Sequence, residues 1–197
     1  AQISIYLESL IKKELSRFRK KNSRNSLCEL VSLNLAERVS CTSSFAKDLE
    51  LQRKLQQADG FVFLTGTYWD SWGSPLQKFF EDMTEFECGE LWLNKPAAAV
   101  VSMHSVGGKE VLSRLLGVLN TLGLWVPPVG GLVLSAVNEL ALNVSPADSA
   151  PDLQDDLWRK EDLRLIAHNL LQALHSELQF RAWPVDRKNT EAVWFKK

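Results

Sequence analysis

The sequence predicts an α/β fold, a doubly wound parallel sheet in three layers (α/β/α), and two runs of residues carry that prediction. Phe61 to Leu64 is continuously apolar and rich in strand formers, and Ala97 to Met103 reads as a second buried strand, as strands covered on both faces require. A helical pattern follows each run, and alternation of single apolar strands with helices is what a doubly wound sheet writes into its sequence. A length of 197 residues with 45% hydrophobic content suffices for one sizeable core, so residues 1–197 are read as a single domain.

Along the chain, Ile3, Leu7, Leu10, Ile11, Leu15 and Phe18 recur at helical spacing and mark an amphipathic first helix. Its outer side and end carry Lys12, Lys13, Arg17, Arg19, Lys20 and Lys21, extended by Arg24. This cluster reads either as a docking patch for an acidic partner or for the extra phosphate of a nucleotide, or as a solvated face with cations at a helix carboxyl end. Leu27 to Leu35 alternates apolar and polar positions and reads as a strand, and Phe45 to Ala58 as a helix turning Leu49, Leu51 and Leu55 toward the sheet. Asp59-Gly60 then turns the chain into the Phe61 strand. After it, Ser74 reads as an N-cap, Pro75 as the first helical residue and Gln77 as the third member of a capping box. Leu76, Phe79, Phe80 and Met83 give that helix its apolar stripe, and a connection from Glu85 to Asn94 leads to the strand at Ala97. Val111 to Leu122 is a strongly apolar helix ended by Gly123. Trp125 to Leu134, with Pro127 and Pro128, reads as an outer strand because proline is confined to sheet edges and ends. Asn138 to Asp156 is a polar connection. Leu163, Ile166, Leu170, Leu174 and Leu178 mark the last helix, and the tail from Trp183 to Trp194 is expected to lie against the body.

Charge and composition narrow the function classes. With 23 basic and 24 acidic residues the net charge is -1, which argues against general nucleic-acid binding and gives no attraction to anionic membranes. Cys28, Cys41 and Cys88 are odd in number and widely spaced, so neither a disulfide framework nor a zinc site is indicated, and a reducing cytoplasm is the expected compartment. No apolar run reaches the ~20 residues that span a bilayer, and the start lacks a signal-peptide pattern. His168 and His175 have no companion cysteine or carboxylate arrangement, so no metal is expected. No H-E-x-x-H, Gly-x-Ser-x-Gly or Walker motif occurs. The Asn143-Val-Ser145 sequon is set aside for want of a secretory context.

The loop from Thr65 to Gly73 leaves the carboxyl end of a parallel strand, where open α/β sheets place their ligands. Its text, Gly66-Thr67-Tyr68-Trp69-Asp70-Ser71 with Lys78 and Asp82 in the next helix, resembles the flavodoxin-like NAD(P)H-dependent FMN and quinone reductases, whose third strand ends in Pro-x-Tyr-x-x-Ser before a helix with Lys-x-x-x-Asp. Lys95-Pro96 through Ser102, His104, Ser105, Gly107 and Gly108 resembles that family's fourth strand and glycine-containing flavin loop. The resemblance implies a flavodoxin-like sheet. It also implies an FMN whose ring is met by Gly66, Thr67, Tyr68, Trp69 and Ser71 on one side and by His104, Ser105, Gly107 and Gly108 at the other edge. NAD(P)H would be the co-substrate, a quinone, free flavin or similar small molecule the electron acceptor, and the enzyme a homodimer or homotetramer. In the family the neighbourhood of the Glu85–Asn94 connection meets a second subunit through Lys and Asp of the preceding helix, although Lys78 and Asp82 are equally a plain i,i+4 pair.

Two departures from the family stand out. Gly66 replaces the usual proline, which is expected to loosen the loop. The family opens with a strand and a Ser/Arg-rich phosphate loop, whereas Ala1 to Leu7 already reads as helix; the first strand is missing, and the chain is expected to be amino-terminally incomplete. In the 2-1-3-4-5 strand order, the second and third strands would then lack their shared partner.

With FMN bound, the flavin supplies the chemistry, and the protein holds the ring and excludes competing reactions. Tyr68 and Trp69 offer flat area for ring packing, and Tyr68 has no core-packing duty at a strand's carboxyl end. Trp72 either borders the substrate pocket or seals a subunit contact. His104 is read as the candidate catalytic residue, a proton donor to a reduced quinone or a stabiliser of anionic flavin, with a purely positional loop histidine as the alternative. Two other functions stay open: a flavodoxin-type electron carrier, which its small net charge disfavours, and a flavin-free module docking through Trp69, Trp72 and Trp92.

Overall fold

The computed structural model describes residues 2–21, 29–39, 41, 44–135 and 160–182. The polar connection, the tryptophan-rich tail, Arg24 and Cys28 lie outside these residues. Phe61–Tyr68 (β1), Ala97–Met103 (β3) and Gly131–Ser135 (β4) form the parallel sheet, with β3 in the middle: Phe61 is opposite Ala97, and Ala99 opposite Gly131. The short antiparallel Ser71–Trp72 (β2) joins the far edge of β1, which gives the order β2-β1-β3-β4.

Both faces of β3 are covered, which is why its sequence is apolar at every position through Val101. Ala97, Ala99 and Val101 face a cluster built with Leu51 and Leu55 of α3 (Leu49–Gln57), Leu76, Phe79, Phe80 and Met83 of α4 (Ser74–Met83), and Val111, Leu115, Leu119 and Leu122 of α5 (Gly108–Leu122). Ala98 and Val100 face a second cluster with Leu10, Ile11 and Leu15 of α1 (Gln2–Lys21) and Leu163, Ile166 and Leu170 of α6 (Lys160–Ala173). Alternate side chains of one strand thus seal two helical layers, and the α/β/α expectation holds.

Several boundaries differ from the expectation. Residues 29–34 form no strand: Leu30 packs on one cluster and Leu33 on the other, as alternation demands, but no ladder accompanies them. The Asn34 carboxamide accepts from the Ala36 N–H and starts α2 (Leu35–Val39). The helix read over Phe45–Ala58 is broken into a short 3-10 turn, Phe45–Lys47, and α3, because Asp48 caps α3 by accepting from the Leu51 N–H at 2.9 Å. Leu49 therefore points outward and is 77% exposed. The edge strand starts only at Gly131; Trp125 keeps a single bridge to Pro96, and the residues between turn through Pro127, Pro128 and a left-handed Val129. The last helix ends at Ala173, leaving Leu178 exposed outside it. Gly123 ends α5 as expected, in the left-handed conformation.

Lys78 and Asp82 are paired at 2.9 Å, and Asp82 also accepts from the Phe45 N–H at 2.7 Å, so the pair ties α4 to the turn before α3. Burial raises the Asp82 pKa, but the Phe45 N–H and Lys78 together outweigh it and hold the carboxyl below its ordinary 3.8. A depressed folded-state pKa contributes stability that is present above the unfolded value and lost as pH falls through the folded one. Asp82→Asn is therefore expected to lower stability at pH 7 by about 1–2 kcal/mol and to flatten the loss of stability below pH 3.8. Urea denaturation at neutral and acid pH checks this; equal acid sensitivity of the two proteins would contradict it.

Candidate functional site

The region expected to be an open loop is a β-hairpin. β1 continues through Tyr68, turns at Trp69 and Asp70, and returns as β2 with Tyr68 opposite Ser71 and Thr67 opposite Trp72. Both turn residues have positive φ, 48° and 55°, the type I′ pattern that usually takes Asn-Gly. Gly66 lies inside the β1–β3 ladder opposite Ser102, so it does not loosen a loop. Its missing side chain leaves room for the Tyr68 ring, whose Cε2 would sit 3.0 Å from a Cβ there.

The helix after the hairpin starts one residue earlier than the capping box predicts. Gly73, not Ser74, is the N-cap, and no side chain caps it. The buried Thr65 hydroxyl accepts from the Gly73 N–H at 3.1 Å, which fixes the chain there and frees Gln77 for other partners. Gln77 accepts from Trp72 Nε1 at 2.7 Å and donates to Glu81. Trp72 is half-buried, edge-on to Phe80 with centroids 6.0 Å apart. It borders an open groove of about 490 Å³ between α4 and α5, lined further by Gln77, Glu81, Arg114 and Val118.

On the neighbouring strand, β3 leads through exposed His104, Ser105 and Val106 to Gly107, at φ 84°, and into α5. The His104 carbonyl accepts from Ser135 Oγ at 3.4 Å. Gly108 is turned inward: a Cβ there would collide with Val133 and Met103, and its N–H lies 3.3 Å from the Met103 sulfur. Gly107 is the meeting point of the two segments. A Cβ on it would run into the Asp70 carboxylate and lie 3.4 Å from Thr67 Cγ2. The hairpin and the glycine loop therefore touch through Thr67, Asp70 and Gly107, while Tyr68 (64% exposed) and Trp69 (101%) stand free beside them.

Two participants carry no sequence signal. Asp70 and Arg114 are isolated charges in the text, yet an Arg114 Nη2 of α5 donates to the Asp70 carbonyl, and its guanidinium lies 5.6 Å from the Trp72 ring centroid. Trp92 belongs elsewhere: fully buried among Phe61 and Phe79, it forms no part of any surface. Thr67 Oγ1 is one of three buried side-chain polar atoms without a hydrogen-bond partner among the described residues. An orphaned hydroxyl, two exposed aromatic rings and a side-chain-free helix start at the carboxyl end of a parallel sheet fit a flat, polar-edged aromatic ligand such as a flavin ring.

Comparison with known proteins agrees with this architecture. Residues 17–139 match the family described as NADPH-dependent FMN reductase. No curated protein matches the chain at a significant level. Among solved structures, an oxidoreductase from Corynebacterium diphtheriae superposes with a TM-score of 0.61 at 16% identity, covering 88% of this chain and 87% of its own. RosB with a bound 8-demethyl-8-formylriboflavin-5'-phosphate intermediate follows, with a TM-score of 0.54 at 15% identity, covering 86% of this chain and 72% of that chain. At such identities the likeness is one of fold, so what the site does has to be argued from its own residues.

Proposed function

The chain belongs to the NADPH-dependent FMN reductase family, with its flavodoxin-like α/β fold, and from that premise we propose that it is a flavin-dependent oxidoreductase carrying electrons from NAD(P)H through FMN to a quinone, free flavin or similar small acceptor. The observation that carries this reading is the contact between hairpin and glycine loop, which puts Thr67, Tyr68, Trp69 and Gly107 at one end of the sheet with aromatic area left uncovered. When bound, FMN supplies two-electron chemistry. The residues of this chain would hold and orient the ring: Tyr68 and Trp69 would offer it flat faces and Thr67 and Ser71 polar groups, while Gly66 leaves room for the Tyr68 ring. His104 and Ser105 are exposed at the start of the loop, where His104 would deliver a proton to the acceptor or hold one against the reduced flavin. Gly108 contributes by packing the start of α5.

The working unit is proposed to be a single flavodoxin-like domain assembled as a homodimer or homotetramer in the cytoplasm. No helix among the described residues is long and apolar enough to cross a membrane. A docking module built on Trp92 loses its anchor, because that ring is in the core.

The test is reconstitution. The full chain incubated with FMN and freed of excess is expected to be yellow and to oxidise NADPH or NADH when menadione or FMN is added. Tyr68→Ala together with Trp69→Ala is expected to weaken FMN binding by roughly tenfold or more, at about 0.5–1.5 kcal/mol per aromatic pairing lost. Fluorescence titration measures it. A folded full chain that takes up no FMN overturns the reading.

A further inference from the structure

The hairpin is poorly equipped to hold its own shape. Its ladder is two residue pairs long, Thr67 with Trp72 and Tyr68 with Ser71, and an isolated two-stranded ribbon of that length is marginal in water. Its turn puts two residues with side chains, Trp69 and Asp70, at positive φ, where glycine or asparagine is ordinarily found. Something outside the ribbon has to hold the turn in place.

Arg114 is placed to do so. It projects from the second turn of α5, the helix that starts at the glycine loop, and its guanidinium makes two contacts with the hairpin: a donated hydrogen bond to the Asp70 carbonyl at the turn, and a position 5.6 Å from the Trp72 ring centroid on the returning strand. The Asp70 carboxylate is directed instead at Gly107. A planar guanidinium suits this double task, since it donates in plane while its face covers an aromatic ring. The same helix therefore fixes both the glycine loop, through its own first residues, and the hairpin, through Arg114.

We propose that Arg114 is a positioning residue for the flavin site: it clasps the Trp69-Asp70 turn to α5 and so sets the spacing of the two segments that would grip the ring. This rests on the FMN reading above. The residue acts through the Asp70 carbonyl and Trp72, without contact to the cofactor.

The experiment compares the full chain with Arg114→Ala and Arg114→Lys by hydrogen exchange without cofactor, by FMN titration and by the midpoint potential of bound FMN. In the alanine variant, exchange across residues 66–73 is expected to quicken by about tenfold, with α4 and the body of α5 unchanged. FMN affinity is expected to fall by about fivefold, as it must when fewer molecules hold the competent hairpin, and the potential to shift, which a general loss of stability would not produce. Lysine, which keeps the charge without the planar face, is expected to restore part of each effect. Unaltered exchange across 66–73 in Arg114→Ala overturns the clasp whatever the protein binds. Faster exchange with unchanged FMN affinity and potential overturns the positioning role and leaves the functional reading standing. A full chain that binds no FMN, with or without the substitution, overturns the functional reading and the proposal with it.

Discussion

Trp92→Ala is expected to cost about 3–5 kcal/mol of folding stability, the range for removing a large aromatic side chain from a core. The Trp92 side chain is fully buried, 5.3 Å from the Phe61 centroid and 6.0 Å edge-on from that of Phe79, so its loss opens a void where β1, α4 and the connection before β3 meet. The backbone there is pinned by the Trp92 N–H to the Gly89 carbonyl and by the Lys95 N–H to the Trp92 carbonyl, which limits collapse into the void. For a chain of this size the loss corresponds to a fall in Tm of roughly 6–20 °C at 2–4 °C per kcal/mol. Trp92→Phe is expected to cost far less. It keeps a ring in the cluster and deletes the indole N–H, which is buried without a hydrogen-bond partner among the described residues, an arrangement that itself costs about 1–3 kcal/mol. Thermal and urea denaturation of both variants decide the matter: an alanine variant as stable as the parent would mean that Trp92 is no core residue and would return it to the surface role that the sequence allowed.

What the sequence made legible was whatever is decided locally or by burial alone. β3 reads as a doubly covered strand because five successive residues, Ala97 to Val101, are all buried, and no other element demands that of its text. Gly123 reads as a helix stop because only a left-handed residue can end α5 there. Leu27–Leu35 misled because alternation reports which side chains are covered, and Leu30 and Leu33 are indeed divided between the two clusters; strandedness needs a ladder partner, and alternation says nothing of one. The hairpin escaped notice because Trp-Asp lacks the glycine or asparagine that advertises a type I′ turn. Lys78 and Asp82 show their spacing in the sequence, but the Phe45 N–H that completes the Asp82 site is 37 residues away. Arg114 and Asp70 are 44 residues apart. Contacts of that kind are products of the fold and have no periodicity to betray them, and the candidate site is built mostly from them.

Gly107→Ala is expected to have the largest effect on the site itself, for two reasons that can be measured apart. Gly107 holds φ at 84°, a conformation that costs a residue with a Cβ about 1–2 kcal/mol. Its Cβ would also fall on the Asp70 carboxylate, so that side chain must swing off the glycine loop to admit a methyl group, and the contact between the two segments is lost. The first cost is paid in stability alone; the second opens the very contact on which the FMN reading rests, and FMN affinity is expected to fall by tenfold or more. Asp70→Ala separates them. In that background the carboxylate that the methyl group would strike is gone and Thr67 Cγ2 at 3.4 Å is an ordinary close contact, so the φ cost persists while the clash is relieved. The stability and affinity effects of the two substitutions should therefore be non-additive, as expected of residues in direct contact. Gly107→Asn supplies a cross-check, because asparagine tolerates positive φ but still carries a Cβ: it should relieve the backbone strain and keep the loss of affinity. Strictly additive effects of Gly107→Ala and Asp70→Ala on both Tm and FMN binding would show that hairpin and glycine loop do not bear on one another, and the site would have to be sought away from their junction.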